Sequence, residues 1–283
     1  MKYFCLMVFI LVVQQGFAQN KSELPFIEHL VNKEYYNEVI HLIDRDSLNY
    51  KPEQQDSVNY FKGWAHYSLK NLEQSTASLL RVGKGSSFYF KSRFFAGYNQ
   101  IYLEKYDEAR KIIGQLNVRD ETYLSILHFE LSGIDLLEGN WSKAKDLMGQ
   151  VNPTIATLNQ QVAALGQICK QQESHRPKSP LLAGLMSVIL PGSGKIYAGK
   201  TGAGIASMIA TTGFGLIAWE NYRKLGIGHA KTIFFGSIFA ANYVSNIYGS
   251  VISVRIIEND YKDATHNQIL FQLHIPLRNF FEQ

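Results

Sequence analysis

The sequence predicts an all-α chain in two parts: an exported solenoid of helical repeats, then a small transmembrane helical hairpin preceded by a re-entrant or interfacial helix. Three observations carry this expectation. A large apolar residue, a small one three positions on and an apolar one four further recur roughly every 35 residues between Tyr36 and Met148. Two long segments, Thr201 to Trp219 and Thr232 to Val254, hold no Asp, Glu, Lys or Arg. No stretch alternates strand and helix patterns, so nothing supplies a parallel sheet.

The 283 residues suffice for two domains, and the net charge of +4 is too small and too scattered for a nucleic-acid-binding face. The mean hydropathy of −0.11 averages a polar first half with a very apolar later third. Of the two cysteines, Cys5 lies in the leader, so Cys169 is left without a disulfide partner and reads as a small apolar residue on a helix face.

Residues 1–18 read as a secretory signal: Lys2, an apolar run from Tyr3 to Val13, then small residues at Gly16 and Ala18 before a cleavage point. An uncleaved anchor is the competing reading. The absence of a cysteine just after the site argues against a lipoprotein.

Residues 19–172 form the repeat domain. Its four copies are Tyr36-Val39-Ile43, Leu72-Ser75-Leu79, Tyr106-Ala109-Ile113 and Trp141-Ala144-Met148. Gly63 and Gly97 precede the second and third by the same interval, Gly133 is one residue out of register in the fourth, and Ile27 takes the place in the first. This pattern resembles tetratricopeptide repeats in degenerate form. The resemblance implies stacked helix pairs, each covering its neighbour's apolar face, and a concave surface that takes a protein or peptide. Tyr89, Phe94, Tyr98 and Tyr102 are the candidate groove residues, with core packing between helices the alternative. Ile155 to Lys170 is the expected closing helix, opened by Pro153 and Thr154. Polar residues with two prolines at 173–180 mark the expected linker.

The membrane domain is expected over 181–255. Segment 181–191, ended by Pro191, is short for a span, so it is read as re-entrant or interfacial, with a third span as the alternative. The two spans are 201–219 and 232–254, joined by a basic link from Glu220 to Lys231, with Trp219, Tyr222 and Lys224 as interfacial anchors. Small residues line one face of each: Ala203, Ser207, Thr211 and Gly215 on the first, Ser237, Ala241, Ser245 and Gly249 on the second. Such ridges let two helix backbones approach where lipid gives no hydrophobic drive. Asn242 and Asn246, one turn apart, are expected to point into the protein as packing glue, or to line a substrate or ion path.

Pro191, Gly192, Gly194, Tyr197 and Gly199 stand in the run Leu190 to Gly199, which resembles the L-P-G-x-G-x-x-Y-x-G element of a membrane module in bacterial envelope proteins. The resemblance implies an envelope location and brings no established activity. The glycines would allow a tight turn, and Tyr197 would sit at the interface.

Gly194 to Thr201 also spells G-x-x-x-x-G-K-[ST], in which Lys200 would reach phosphates and Thr201 a magnesium ion. Pro191 and Gly192 break any preceding strand and the next helix suits lipid, so the nucleotide-binding reading is set aside. The histidines show neither H-E-x-x-H nor metal spacing, and no G-x-S-x-G occurs. No catalytic residue, cofactor or metal is expected. The expected partners are a protein or peptide, the bilayer, and a second copy through the hairpin. The expected location is a bacterial inner membrane with the repeats on the periplasmic side. Residues 256–283 form a tail, in which alternation of Ile269, Phe271, Leu273 and Ile275 before Pro276 predicts a short strand or docked extended segment.

Overall fold

Four helical turns of one design set the spacing of the first unit. Glu34, Lys70, Glu104 and Gly139 all have positive φ, and each stands two residues before the start of a helix. At each turn an N–H just past the left-handed residue bonds a carbonyl in the preceding helix, as in Asn71 to His66 and Lys105 to Gln100, both 2.9 Å. This is the six-to-one closure that ends a helix at a left-handed residue. A helix therefore stops and restarts at each expected copy.

The computed structural model describes residues 23–45 and 50–281; the expected signal, with Cys5, lies outside the described residues. Among the described residues the chain is all-helical, with thirteen α-helices, one short 3₁₀ turn at Pro52–Gln54 and no strand. It divides into two compact units, one of residues up to Ala164 together with Gln272 onward, the other Leu165–Phe271.

In the first unit the helices are α1 (Leu24–Asn32), α2 (Tyr36–Arg45), α3 (Gln55–Ser68), α4 (Leu72–Leu79), α5 (Tyr89–Tyr102), α6 (Tyr106–Gly114), α7 (Glu121–Leu137) and α8 (Trp141–Met148). Tyr36, Leu72, Tyr106 and Trp141 each open a helix. Each helix touches its sequence neighbours, while α1, α3, α5 and α7 also touch in succession. Within pairs, glycine sets the approach: a Cβ on Gly63 would stand 2.6 Å from Leu79, and one on Gly97 would stand 2.4 Å from Ile113. Ser75 donates to the Gly63 carbonyl of its own pair at 2.8 Å and, between pairs, accepts from the Asn99 amide at 2.9 Å. Arg93 of α5 reaches back to the Leu79 and Val82 carbonyls at 2.7 and 2.9 Å, satisfying the exposed end of α4. Asp120 caps α7 by accepting from the Thr122 and Tyr123 amides.

Helix α9 (Ala156–Ser174) runs past Lys170, and the division between units falls inside it rather than at 173–180. The proline segment is held in place: Glu258 takes the Lys178 amide at 3.0 Å and His175 Nε2 at 2.9 Å, and the Ser179 amide donates to the Tyr197 hydroxyl at 3.0 Å. The Lys178 amide and the His175 ring hold the Glu258 carboxyl below the usual carboxylate range. Cys169 is buried.

The second unit continues with α10 (Pro180–Ile189), α11 (Ser193–Tyr197), α12 (Thr201–Leu225) and α13 (Ala230–Phe281). Ser179 caps α10, whose Ala183, Gly184 and Ser187 are buried while Leu181, Leu185, Val188 and Ile189 are exposed. At ten residues, or about 15 Å, α10 is too short to cross a hydrocarbon core.

Three expectations change here. Among the described residues α12 alone is long and apolar enough to cross a membrane; segment 232–254 lies within the 52-residue α13, where Asn242, Asn246 and several serines dilute its hydropathy. The link at 220–231 shrinks to Gly226–His229, because the Glu220–Lys224 pair at 2.5 Å and basic residues at the helix end extend α12 to Leu225. The tail is helical through Phe281 instead of extended. The apparent alternation around Leu273 overlies a helical stripe of buried Leu270, Leu273, Leu277 and Phe281, and docking of that stripe decides the period.

Candidate functional site

Two constellations stand out, one in each unit. The first is the face of α3, α5 and α7 that receives the end of α13. Tyr67 on α3, Phe94, Phe95 and Tyr98 on α5, and Tyr123, Glu130 and Gly133 on α7 all lie there. A helix presents residues three, four and seven apart on one side, which places Tyr123, Glu130 and Gly133 on one face of α7.

Residues 272–281 fill this face. Leu273 packs onto Gly133 so closely that a Cβ there would stand 2.3 Å from its Cδ2. His274 stacks on Tyr98 with centroids 5.0 Å apart, and its Nε2 hydrogen-bonds the Tyr67 hydroxyl. The Phe281 ring lies 5.9 Å from Phe94, 6.1 Å from Phe95 and 6.0 Å from Tyr123. Leu277 is fully buried between these contacts in sequence. The face thus seats an amphipathic helix by one leucine knob into a glycine hole, one imidazole between two phenols and one ring among three.

Of the sequence's four groove candidates, Phe94 and Tyr98 contact this helix. Tyr89 is half-buried under the Arg93 guanidinium, 4.7 Å from its ring centroid, and Tyr102 is exposed beside Tyr98. Sequence reasoning missed Glu130. It is fully buried, both carboxyl oxygens lack a hydrogen-bond partner, and burial pushes its carboxyl well above the usual carboxylate range. Burial and then Glu130 itself push the Tyr98 phenol up. A signal was available: Glu130 is the one acidic residue between Ser125 and Gly133, flanked by Phe129 and Leu131. The out-of-register Gly133 was a second, since it serves the docked helix rather than a repeat partner.

The second constellation is the junction of α10, α11, α12 and α13. Pro191 ends α10, and Gly192 and Gly199 both take positive φ. A Cβ on Gly192 would stand 2.1 Å from the Gly204 carbonyl oxygen, and one on Gly194 2.0 Å from that of Ala183. Only glycine permits these backbone approaches. Tyr197 packs on the buried cluster of Ala183, Ala198 and Val254 and accepts from the Ser179 amide through its hydroxyl. The string from Gly194 to Thr201 is accordingly a helical turn, a left-handed glycine and the start of α12.

A polar chain runs behind it. The Ser187 hydroxyl accepts from the Gly194 amide at 3.1 Å and meets Ser250 at 2.7 Å, and Ser250 donates to the Asn246 carbonyl at 2.8 Å. Lys195 Nζ donates to Ser207 at 2.6 Å, alongside Gly249. Asn242 is half-buried and bonds the Ile238 carbonyl, whereas Asn246 is buried with both amide atoms unpartnered.

The two small-residue ridges do not meet as drawn from spacing. Ser207, Thr211 and Gly215 face inward with Ala203 exposed, but Ser237, Ala241 and Ser245 are exposed on α13. Gly215 instead faces the Phe239 ring, 3.1 Å from where its Cβ would stand. Side-chain size marks positions that can approach closely, and the larger Phe239, Asn246 and Ser250 determine which face of α13 turns inward.

No family model matches the chain, and no curated protein and no solved structure is significantly similar to it.

Proposed function

We propose that this chain is a non-enzymatic, membrane-anchored adaptor of the bacterial envelope, holding a protein or peptide partner on a solenoid of tetratricopeptide-like repeats. The observation that carries the reading is the face of α3, α5 and α7, which is built to seat an amphipathic helix. Helix-in-groove docking is a general mode of peptide recognition.

Membrane attachment draws support from α12. Only 11% of its apolar window is buried, and Ile209, Leu216 and Trp219 are exposed, which suits lipid better than a protein core. Residues 272–281 pack on the repeats, so both belong on one side of any bilayer. That requires an even number of crossings between Ala164 and Gln272: α12 is one, and the second falls to residues 232–254 at the start of α13, less apolar than α12 but without Asp, Glu, Lys or Arg. At 52 residues α13 is about 78 Å long, enough to cross and continue for several turns. With an exported repeat domain, the outer face of the inner membrane is the place of action.

The test is site-specific photo-crosslinking in cells from exposed Tyr102 and, as a control, from exposed Leu216. A discrete protein adduct from Tyr102 alone is expected; no adduct from Tyr102 counts against the adaptor.

One observation favours a second reading as a transporter or channel subunit of oligomerised hairpins: the unpartnered amide of Asn246 beside a chain of hydroxyls. Asn246→Leu should then abolish solute flux while sparing membrane location. Retained flux removes this reading.

A further inference from the structure

We propose that residues 272–281 are an internal stand-in for the groove's ligand, and that the ligand is an amphipathic helix bearing a lysine or arginine that meets the Glu130 carboxylate. This rests on the adaptor reading and names the chemistry of its partner.

The argument starts from a misfit. A carboxylic group with two unpartnered oxygens and no solvent is costly in a protein interior. Glu130 sits one turn from Gly133, on the face of α7 that contacts the docked helix. The docked helix runs opposite to α7, since Leu273 meets Gly133 and Phe281 meets Tyr123. Glu130 lies between these two contacts, so the stretch facing it is Leu273 to Leu277. That stretch offers it no donor. Leu273 and Leu277 are hydrocarbon, Pro276 has no N–H, and His274 is turned to Tyr67 and Tyr98.

The same stretch has one helix hydrogen bond fewer than a regular helix, because Pro276 inside α13 has no N–H to donate. The groove therefore holds a helix that fits in shape and leaves the Glu130 carboxyl without a hydrogen-bond partner. A helix with a cation at the place of Leu277 makes the charge-assisted bond that the resident segment cannot. It keeps the leucine knob on Gly133 and the aromatic ring against Phe94, Phe95 and Tyr123. Exchange of one helix for the other frees residues 272–281 and couples partner binding to the end of α13.

The experiment uses the full chain in detergent micelles with two labelled synthetic peptides. One copies residues 268–283; the other is the same peptide with Leu277→Lys. Binding is read by fluorescence anisotropy, and hydrogen exchange of 272–281 reports displacement. On the Phe281→Ala chain, which loosens the resident helix, the lysine peptide is expected to bind at least tenfold more tightly than the copy. Glu130→Leu is expected to erase or reverse that preference. Equal affinity, or tighter binding of the copy, overturns the cationic partner and leaves the adaptor reading standing. If neither peptide binds while 272–281 exchanges freely, the groove is no helix receptor and both readings fall. Protection of α5 and α7 amides in the same samples shows that the repeats are folded. Should Phe281→Ala unfold them, the unmodified chain at high peptide concentration serves, with release of 272–281 by the lysine peptide as the expected result and no release as the overturning one.

Discussion

Gly133→Ala tests the docking of the chain's end most sharply. The added Cβ would stand 2.3, 2.5 and 2.8 Å from Leu273 Cδ2, Cδ1 and Cγ, against 3.4–4 Å in ordinary contact. Relief requires Leu273 to move by about 1 Å, and overpacking of this kind costs about 1–3 kcal/mol. Alanine regains about 0.8–1.0 kcal/mol of helix propensity over glycine, so the net destabilisation should be about 0–2 kcal/mol. Leu273→Ala alone should cost about 2–5 kcal/mol through lost burial and a cavity. The informative quantity is their coupling. In the double variant the new methyl occupies space vacated by leucine, so the total should fall short of the sum by about 1–2 kcal/mol. Hydrogen exchange of residues 272–281 and denaturant unfolding in detergent supply the four corners of the cycle. Additivity within about 0.5 kcal/mol would refute direct packing of Leu273 on Gly133.

Three further outcomes follow from single sites. Glu130 has a folded-state pKa raised well above its unfolded value, so the folded chain keeps a proton that the unfolded chain has lost. Stability should therefore fall as pH rises from the ordinary carboxylate range toward the raised value, by at most about 1.4 kcal/mol per pH unit, and then level off. Glu130→Gln should flatten that limb of a pH series of melting temperatures, and an unchanged limb would exclude Glu130 as its source. Glu104 has φ 59° at a turn where Gly139 does the same work in the next pair; Glu104→Gly should stabilise the repeats by about 0.5–1 kcal/mol, measured by denaturation. Gly192→Ala adds a Cβ 2.1 Å from the Gly204 carbonyl oxygen at φ 92°. It should lower detergent thermal stability by at least about 3 kcal/mol, and tolerance of the change would show that the junction is looser than described.

The repeat spacing was legible because it is set locally. Tyr36, Leu72, Tyr106 and Trp141 follow left-handed turns that close on their own helices, so their period survives in the sequence. The glycines of the run Leu190 to Gly199 were legible for the same reason, since Gly192 and Gly199 take positive φ in turns set by their own backbone. What depended on distant partners was not. The end of α13 is helical because its buried stripe meets α5 and α7, while its short apolar run fits either period. The ridge on α13 was misplaced because four-residue spacing is present on more than one face, and Phe239 and Asn246 decide which turns inward. Glu130 was overlooked as one acid among apolar neighbours, and only the absence of any hydrogen-bond partner in the folded chain sets it apart.

Topology is the most direct test of the whole account. Reporter fusions at residues 100, 226 and 283 distinguish exported from cytoplasmic positions. The packing of residues 272–281 on the repeats requires 100 and 283 to report the same side, exported, and a crossing by α12 requires 226 to report cytoplasmic. A reporter at 283 opposite to the one at 100, or one at 226 on the same side as 100, would contradict it.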